Sequence, residues 1–169
     1  VPTLNPDVVW IDLDNRPEQV EIVSGCCLLI RNSLWRSLEG FDTRFFMYGE
    51  DIDLCLRAKA LGANPVIDPS ITIVHHGGRS EPVRSAKLIR LLRAKIMLCE
   101  KYFSEPKRSA ARVMLLTWPA SRALLFGLAA RLGYDRERAD EWHTVWRKRS
   151  EWLHPRVKIN EKPDQGWET

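Results

Sequence analysis

Three short runs carry groups able to do chemistry. The first is Gly49-Glu50-Asp51, with Asp53 two positions on. A carboxylate that follows a glycine where a loop becomes a helix can point into a cleft and take a proton from a hydroxyl. Glu50 beside it can hold Asp51 in place or raise its proton affinity by like-charge repulsion. The plainer alternative is that Glu50, Asp51 and Asp53 favour a helix N-terminus through the helix dipole. The second run is His75-His76-Gly77-Gly78-Arg79-Ser80. An imidazole at a strand end suits Mn²⁺ better than Mg²⁺. Neighbouring strand residues face opposite sides, so His75 and His76 are rivals for that role. The glycine pair, with Arg79 and Ser80, can offer N–H groups and a cation to phosphate, or form a simple tight turn. The third is Ser24-Gly25, where a missing Cβ lets a ligand approach the backbone or marks a β-bulge.

The elements that must position these residues follow from pattern and punctuation. Val20 to Ile30 reads as a mostly buried strand bent at Gly25. Asn32 caps a short helix through Leu38, and Gly40 ends it. Phe41 to Met47 is an aromatic loop. Glu50 to Leu61 reads as a helix with Ile52, Cys55 and Leu56 on one face, stopped by Gly62. Pro65 to Ile67 and Ile71 to Val74 read as short strands. Beyond Gly77-Gly78 the pattern is helical. It predicts helices over Val83 to Phe103, over Lys107 to Leu132 with an interruption at Pro119, and over Arg136 to Leu153 with Ala139, Trp142, Trp146 and Leu153 on one stripe. Residues 1–19 read as loop with a short strand at Val8 to Ile11, and the tail after His154 is polar and loose. The chain thus divides into a mixed α/β part, 1–80, about half of a doubly wound unit, and a helical extension, 81–169.

Charge follows the same division. Residues 1–80 hold 7 Lys/Arg against 11 Asp/Glu; residues 81–169 hold 19 against 11. An acidic front suits cations, and a basic back suits phosphates or an anionic membrane. Nucleic acid is not expected, since no helix-turn-helix, RRM or zinc-finger pattern is present. Cys26, Cys27, Cys55 and Cys99 contain no CxxC pair and read as small buried residues of a reducing, cytoplasmic compartment. No uncharged apolar run reaches the length of a spanning helix.

The stretch Phe41-Asp42-Thr43-Arg44-Phe45-Phe46-Met47-Tyr48-Gly49-Glu50-Asp51-Ile52-Asp53-Leu54-Cys55-Leu56-Arg57 closely resembles the GGFDxxFFMYGEDVDLCLR signature of rhamnosyltransferase-like family 2 glycosyltransferases. Val23 to Arg31 resembles their SGACLLIRR strand, and Ile73 to Ser80 their VVHHGGGS turn. The three motifs stand in order over roughly residues 20–80. The resemblance implies the C-terminal half of a GT-A (nucleotide-diphospho-sugar transferase) fold, followed by the helical extension. It implies inverting transfer from a nucleotide-sugar donor to a glycan or lipid-linked glycan acceptor, with rhamnose as one candidate sugar. Asp51 would be the base, supported by Glu50. His75 would bind a divalent cation, Mn²⁺ or Mg²⁺, and Ser24, Gly25, Arg79 and Ser80 would meet substrate. Phe45, Phe46 and Tyr48 would stack on a sugar face or anchor the loop as core.

A whole GT-A enzyme also needs a nucleotide-binding half that ends in an acidic motif. Asp12-Leu13-Asp14 has the shape of one but follows no βαβ unit, so both aspartates read as loop residues. The chain is therefore expected to be part of the enzyme and inactive alone, with the cation's aspartates missing. The basic helices are expected at the inner face of the plasma membrane or in a homo-oligomer contact. The competing reading is a peripheral membrane or oligomerisation module without catalysis.

Overall fold

A computed structural model describes residues 16–74 and 83–155. Its elements run β1 (Glu18–Gln19), α1 (Asn32–Ser37), α2 (Glu50–Ala60), β2 (Val66–Ile67), α3 (Arg84–Tyr102), α4 (Lys107–Arg131), α5 (Arg136–Arg147) and α6 (Arg149–Leu153). Among the described residues the sheet is one antiparallel pair, with Glu18 opposite Ile67 and Gln19 opposite Val66. Val20 N–H extends it by donating to the Pro65 carbonyl at 3.0 Å.

The punctuation read from glycines holds. Gly40, Gly49 and Gly62 all have positive φ, and they bound α1 and α2 where a side chain would be strained. Differences lie in the apolar runs. Residues 20–30 do not form a regular strand; they are an irregular extended segment with a turn at Gly25-Cys26, and Leu29 is fully exposed. Residues 71–74 also lack a ladder and are exposed. An apolar run becomes a strand only where a neighbour accepts its backbone bonds. β1 instead uses residues the sequence marks as loop.

The helical part forms as read, with two changes. α4 runs unbroken through Pro119, which is buried within it. Thr117 and Ser121 hydroxyls donate to the carbonyls of Met114 and Trp118 on either side of the proline. The last helix is two, α5 and α6. Asp135 caps α5 by accepting from the Arg138 N–H at 3.2 Å.

Two cores result. Ile89, Leu92, Ile96, Ala123, Trp142, Val145 and Trp152 join α3 to α4, α5 and α6. Trp152 is fully buried and donates its indole N–H to the Val145 carbonyl at 3.1 Å. Of the expected stripe, Trp142, Trp146 and Leu153 pack there and Ala139 is buried, but Val145 and Trp152 carry the centre. The smaller core holds Leu38, Leu54 and Ala58, flanked by Leu28, Ile30, Leu34 and Trp35. On α2 the buried residues are Asp53, Leu54, Cys55 and Ala58, so the inward face lies beside the expected one.

Candidate catalytic site around Asp51

Gly49 has φ +86° at the N-cap of α2, and the Tyr48 φ is +68°. This left-handed pair turns the aromatic loop sharply into the helix. It also brings the backbone hard against α3. A Cβ at Gly49 would lie 3.3 Å from Ala94 Cβ, Leu98 Cδ1 and Phe45 Cδ1. The glycine is required by both conformation and space.

The turn delivers Asp51 to the Ser24-Gly25 segment. Gly25 N–H donates to Asp51 Oδ2 at 2.9 Å, and Ile52 N–H donates to Oδ1 at 2.8 Å. A Cβ at Gly25 would touch Asp51 Cβ at 3.4 Å and Oδ2 at 3.6 Å. Ser24 Oγ accepts from Cys26 N–H at 3.4 Å, steadying the turn. Two motifs 26 residues apart therefore meet at one carboxylate. Each oxygen of that carboxylate keeps a lone pair after accepting one backbone donor, so it can still take a proton.

Glu50 has different surroundings. Its Oε2 is buried with no hydrogen-bond partner among the described residues. Burial pushes its carboxyl above the usual range, and the neighbouring Asp51 charge adds to that.

Asp53 has a role the sequence reading left to the helix dipole. It is completely buried. Its Oδ2 accepts from Arg57 Nε at 2.7 Å, and its Oδ1 accepts from Tyr102 OH at 2.6 Å and from Lys101 Nζ. Lys101 also reaches Asp42 Oδ2 at 2.8 Å, and Arg44 bonds both oxygens of Asp42. Arg57 donates onward to the carbonyls of Leu38 and Gly40 at 2.6 and 2.8 Å. Burial would raise the Asp53 carboxyl, but hydrogen bonds from Lys101, Tyr102 and Arg57 outweigh it and hold it below the usual range. The Arg44 guanidinium does the same for Asp42, against burial and with help from Lys101. The i, i+4 spacing of Asp53 and Arg57 was a legible pair. The partners on α3 were not, being 48 and 49 residues away.

The aromatics divide. Phe45 is buried, while Phe46 is 83% exposed beneath the Arg90 guanidinium, 5.6 Å from its centroid. Phe45, Phe46, Tyr48, Arg44, Arg90 and Arg93 line a recess of about 270 Å³ that joins cations to aromatic faces. A larger groove of about 790 Å³ runs along Leu28, Ile30, Leu34 and Val66, and Asp51 is not among the residues lining it.

His75, His76, Arg79 and Ser80, together with Asp12 and Asp14, lie outside the described residues. Among the described residues no three His, Cys, Asp or Glu side chains gather as a cation site. Asp42 and Asp53 are already engaged by Lys and Arg. Cys55 is buried, but Cys26 and Cys27 are exposed, contrary to the expectation of four buried thiols. They flank a turn at the surface rather than filling a strand interior.

The chain is similar to glycosyltransferases over a limited span. It is 45% identical over 58 residues to the N-acetylglucosaminyl-diphospho-decaprenol L-rhamnosyltransferase of Mycobacterium tuberculosis, covering 34% of this chain and 19% of that protein. It is 41% identical over 64 residues to the rhamnosyltransferase WbbL of Escherichia coli K12, covering 36% and 24%. It is 36% identical over 58 residues to the O-antigen biosynthesis protein RfbC of Myxococcus xanthus, covering 34% and 4%. The chain thus spans about a fifth of the length of the first of these relatives. No protein-family profile and no solved structure matches it.

Proposed function

We propose that this chain carries the base-bearing part of an inverting glycosyltransferase, working on the cytoplasmic side of the envelope. Its donor is a nucleotide sugar, with rhamnose the favoured sugar from the names of the similar proteins. Its acceptor is a glycan or lipid-linked glycan of a cell-envelope polysaccharide. The observation that carries the reading is the Gly25 N–H bond to Asp51 Oδ2, which joins two of the three resembling motifs at one carboxylate.

Asp51 takes the proton of the acceptor hydroxyl as its oxygen bonds to the anomeric carbon. The carbon–oxygen bond to the diphosphate breaks, its electron pair leaves with the diphosphate, and the sugar inverts. Gly25 and Ile52 N–H groups fix the direction of the carboxylate, and the bare glycine lets the backbone approach it closely. The exposed Phe46 offers a face for a sugar ring. Binding of the donor nucleotide and of a divalent cation at His75 is assigned to residues outside 16–74 and 83–155. When bound, such a cation neutralises charge on the leaving diphosphate.

The test is rhamnosyl transfer by the complete reading frame that contains this chain. Asp51→Asn keeps the shape of the side chain but can accept only one of the two N–H groups and cannot take a proton. It should lower kcat roughly 10²–10⁴-fold with donor affinity unchanged. Near-normal turnover by that variant would remove Asp51 as the base.

A further inference from the structure

The face of α4 turned away from the core is apolar and uncovered. Val113, Met114, Leu124, Leu125 and Leu128 are each about half exposed or more, and Trp118 is 42% exposed. They recur at helical spacing on one side. Pro119 and Ala123 are buried on the other side, where Leu115, Leu116 and Phe126 also pack against the helical core. The helix is 25 residues long, with a mean hydropathy of 1.5 over its most apolar stretch, enough by length and composition to cross a bilayer. The uncharged runs on either side of Arg122 are each too short to span, but the helix as a whole, with Arg122 inside it, is not.

Charge identifies what covers the face. α4 contains no Asp or Glu; Arg108 and Arg112 are engaged on the protein side by Glu105, Glu100 and backbone carbonyls, which leaves Lys107, Arg122 and Arg131 beside the apolar stripe. Lys107 and Arg131 stand at its two ends, and Arg122 lies at the edge of the apolar stripe. A second copy of the same helix would set these cations against one another. An anionic lipid surface would neutralise them and take the apolar side chains.

We propose that α4 lies in the plane of an anionic bilayer surface, with the Met114–Trp118–Leu125 side in the lipid and the Pro119–Ala123 side on the protein. Crossing the bilayer would strip α4 from Trp142 and Val145, whose burial depends on it. Trp118, edge-on to Trp142 at 5.1 Å between centroids, sits between the two environments, where tryptophan is favoured. The inference is independent of the transferase reading, since it uses no residue of the three motifs.

Flotation of the whole 169-residue chain with vesicles tests it. The chain should float with phosphatidylglycerol-containing vesicles, lose binding in high salt, and stay behind with pure phosphatidylcholine. Leu124→Glu with Leu128→Glu should abolish flotation while circular dichroism remains unchanged. Arg122→Gln should weaken it roughly fivefold. Alkaline carbonate should release the bound chain. Absence of wild-type flotation with anionic vesicles would overturn the proposal. So would retention after carbonate, which indicates a spanning helix. A lipid-free dimer that the Leu124/Leu128 variant dissolves would equally overturn it, by assigning the face to a second copy.

Discussion

Glu50 shows how neighbouring carboxylates of one motif can be driven apart. Asp51 accepts two backbone N–H groups, whereas Glu50 Oε2 is buried with no partner among the described residues. The folded carboxyl of Glu50 is raised above its unfolded value of about 4.3. Below that pH the group is neutral in both states and costs nothing. As pH rises through the folded value, the native state must bury a charge and loses stability. Glu50→Gln should therefore raise Tm at neutral pH, and the gain should vanish in acid below about pH 4. Thermal melts of both proteins across that range check it; an equal gain at every pH would mean that the charge is irrelevant. The triplet was legible as a candidate site through the motifs around it, since by itself it reads as the start of a helix. The different surroundings of the two carboxylates were not legible, because they depend on which backbone N–H lies across from each oxygen. Gly25 could be named from its type, but its partner 26 residues away could not.

Helices and strands differed in how far sequence could place them. α2, α3 and α4 begin and end within a residue or two of the expected bounds, since a helix closes its own hydrogen bonds, whereas the last expected helix breaks after Arg147. The runs at residues 20–30 and 71–74 were apolar enough for strands, yet strand formation needs a partner that the sequence does not name. The same non-local logic hid the link between α2 and α3. Asp53 sits in α2 with no exposure, and Lys101 and Tyr102 reach it from the end of α3. Asp53→Ala leaves Arg57 and Lys101 facing an uncharged cavity. It should cost about 3–5 kcal/mol, read by urea unfolding. A loss under about 1 kcal/mol would show that the cluster behaves as a surface pair. Lys101 and Tyr102 were readable only as helix-end residues, for nothing local sets a tyrosine apart as the partner of a distant acid.

At the scale of the molecule there are two apolar cores, one around Leu54 and one around Trp142 and Trp152. Between them run the Asp42–Lys101–Asp53 ion cluster and the close contact of Gly49 with Ala94 and Leu98. The split between an acidic front and a basic back was visible in the sequence. Its location at a buried seam was not, because composition counts charges without pairing them. Asp42 and Asp53 both have folded values held below the unfolded carboxylate range of about 4. Their stabilisation is complete above that range and is lost as pH falls through the folded values. The seam is thus a fuse for cooperativity. Near neutrality the two cores should melt as a single calorimetric transition. In strong acid, with both carboxylates protonated, the Trp142–Trp152 core should outlast the Leu54 core and the endotherm should split in two. A single sharp endotherm persisting in strong acid would show that the Gly49 contact alone couples them. Acid would then reach the segment holding Gly25 and Asp51 first, leaving the helical body folded after that segment has let go.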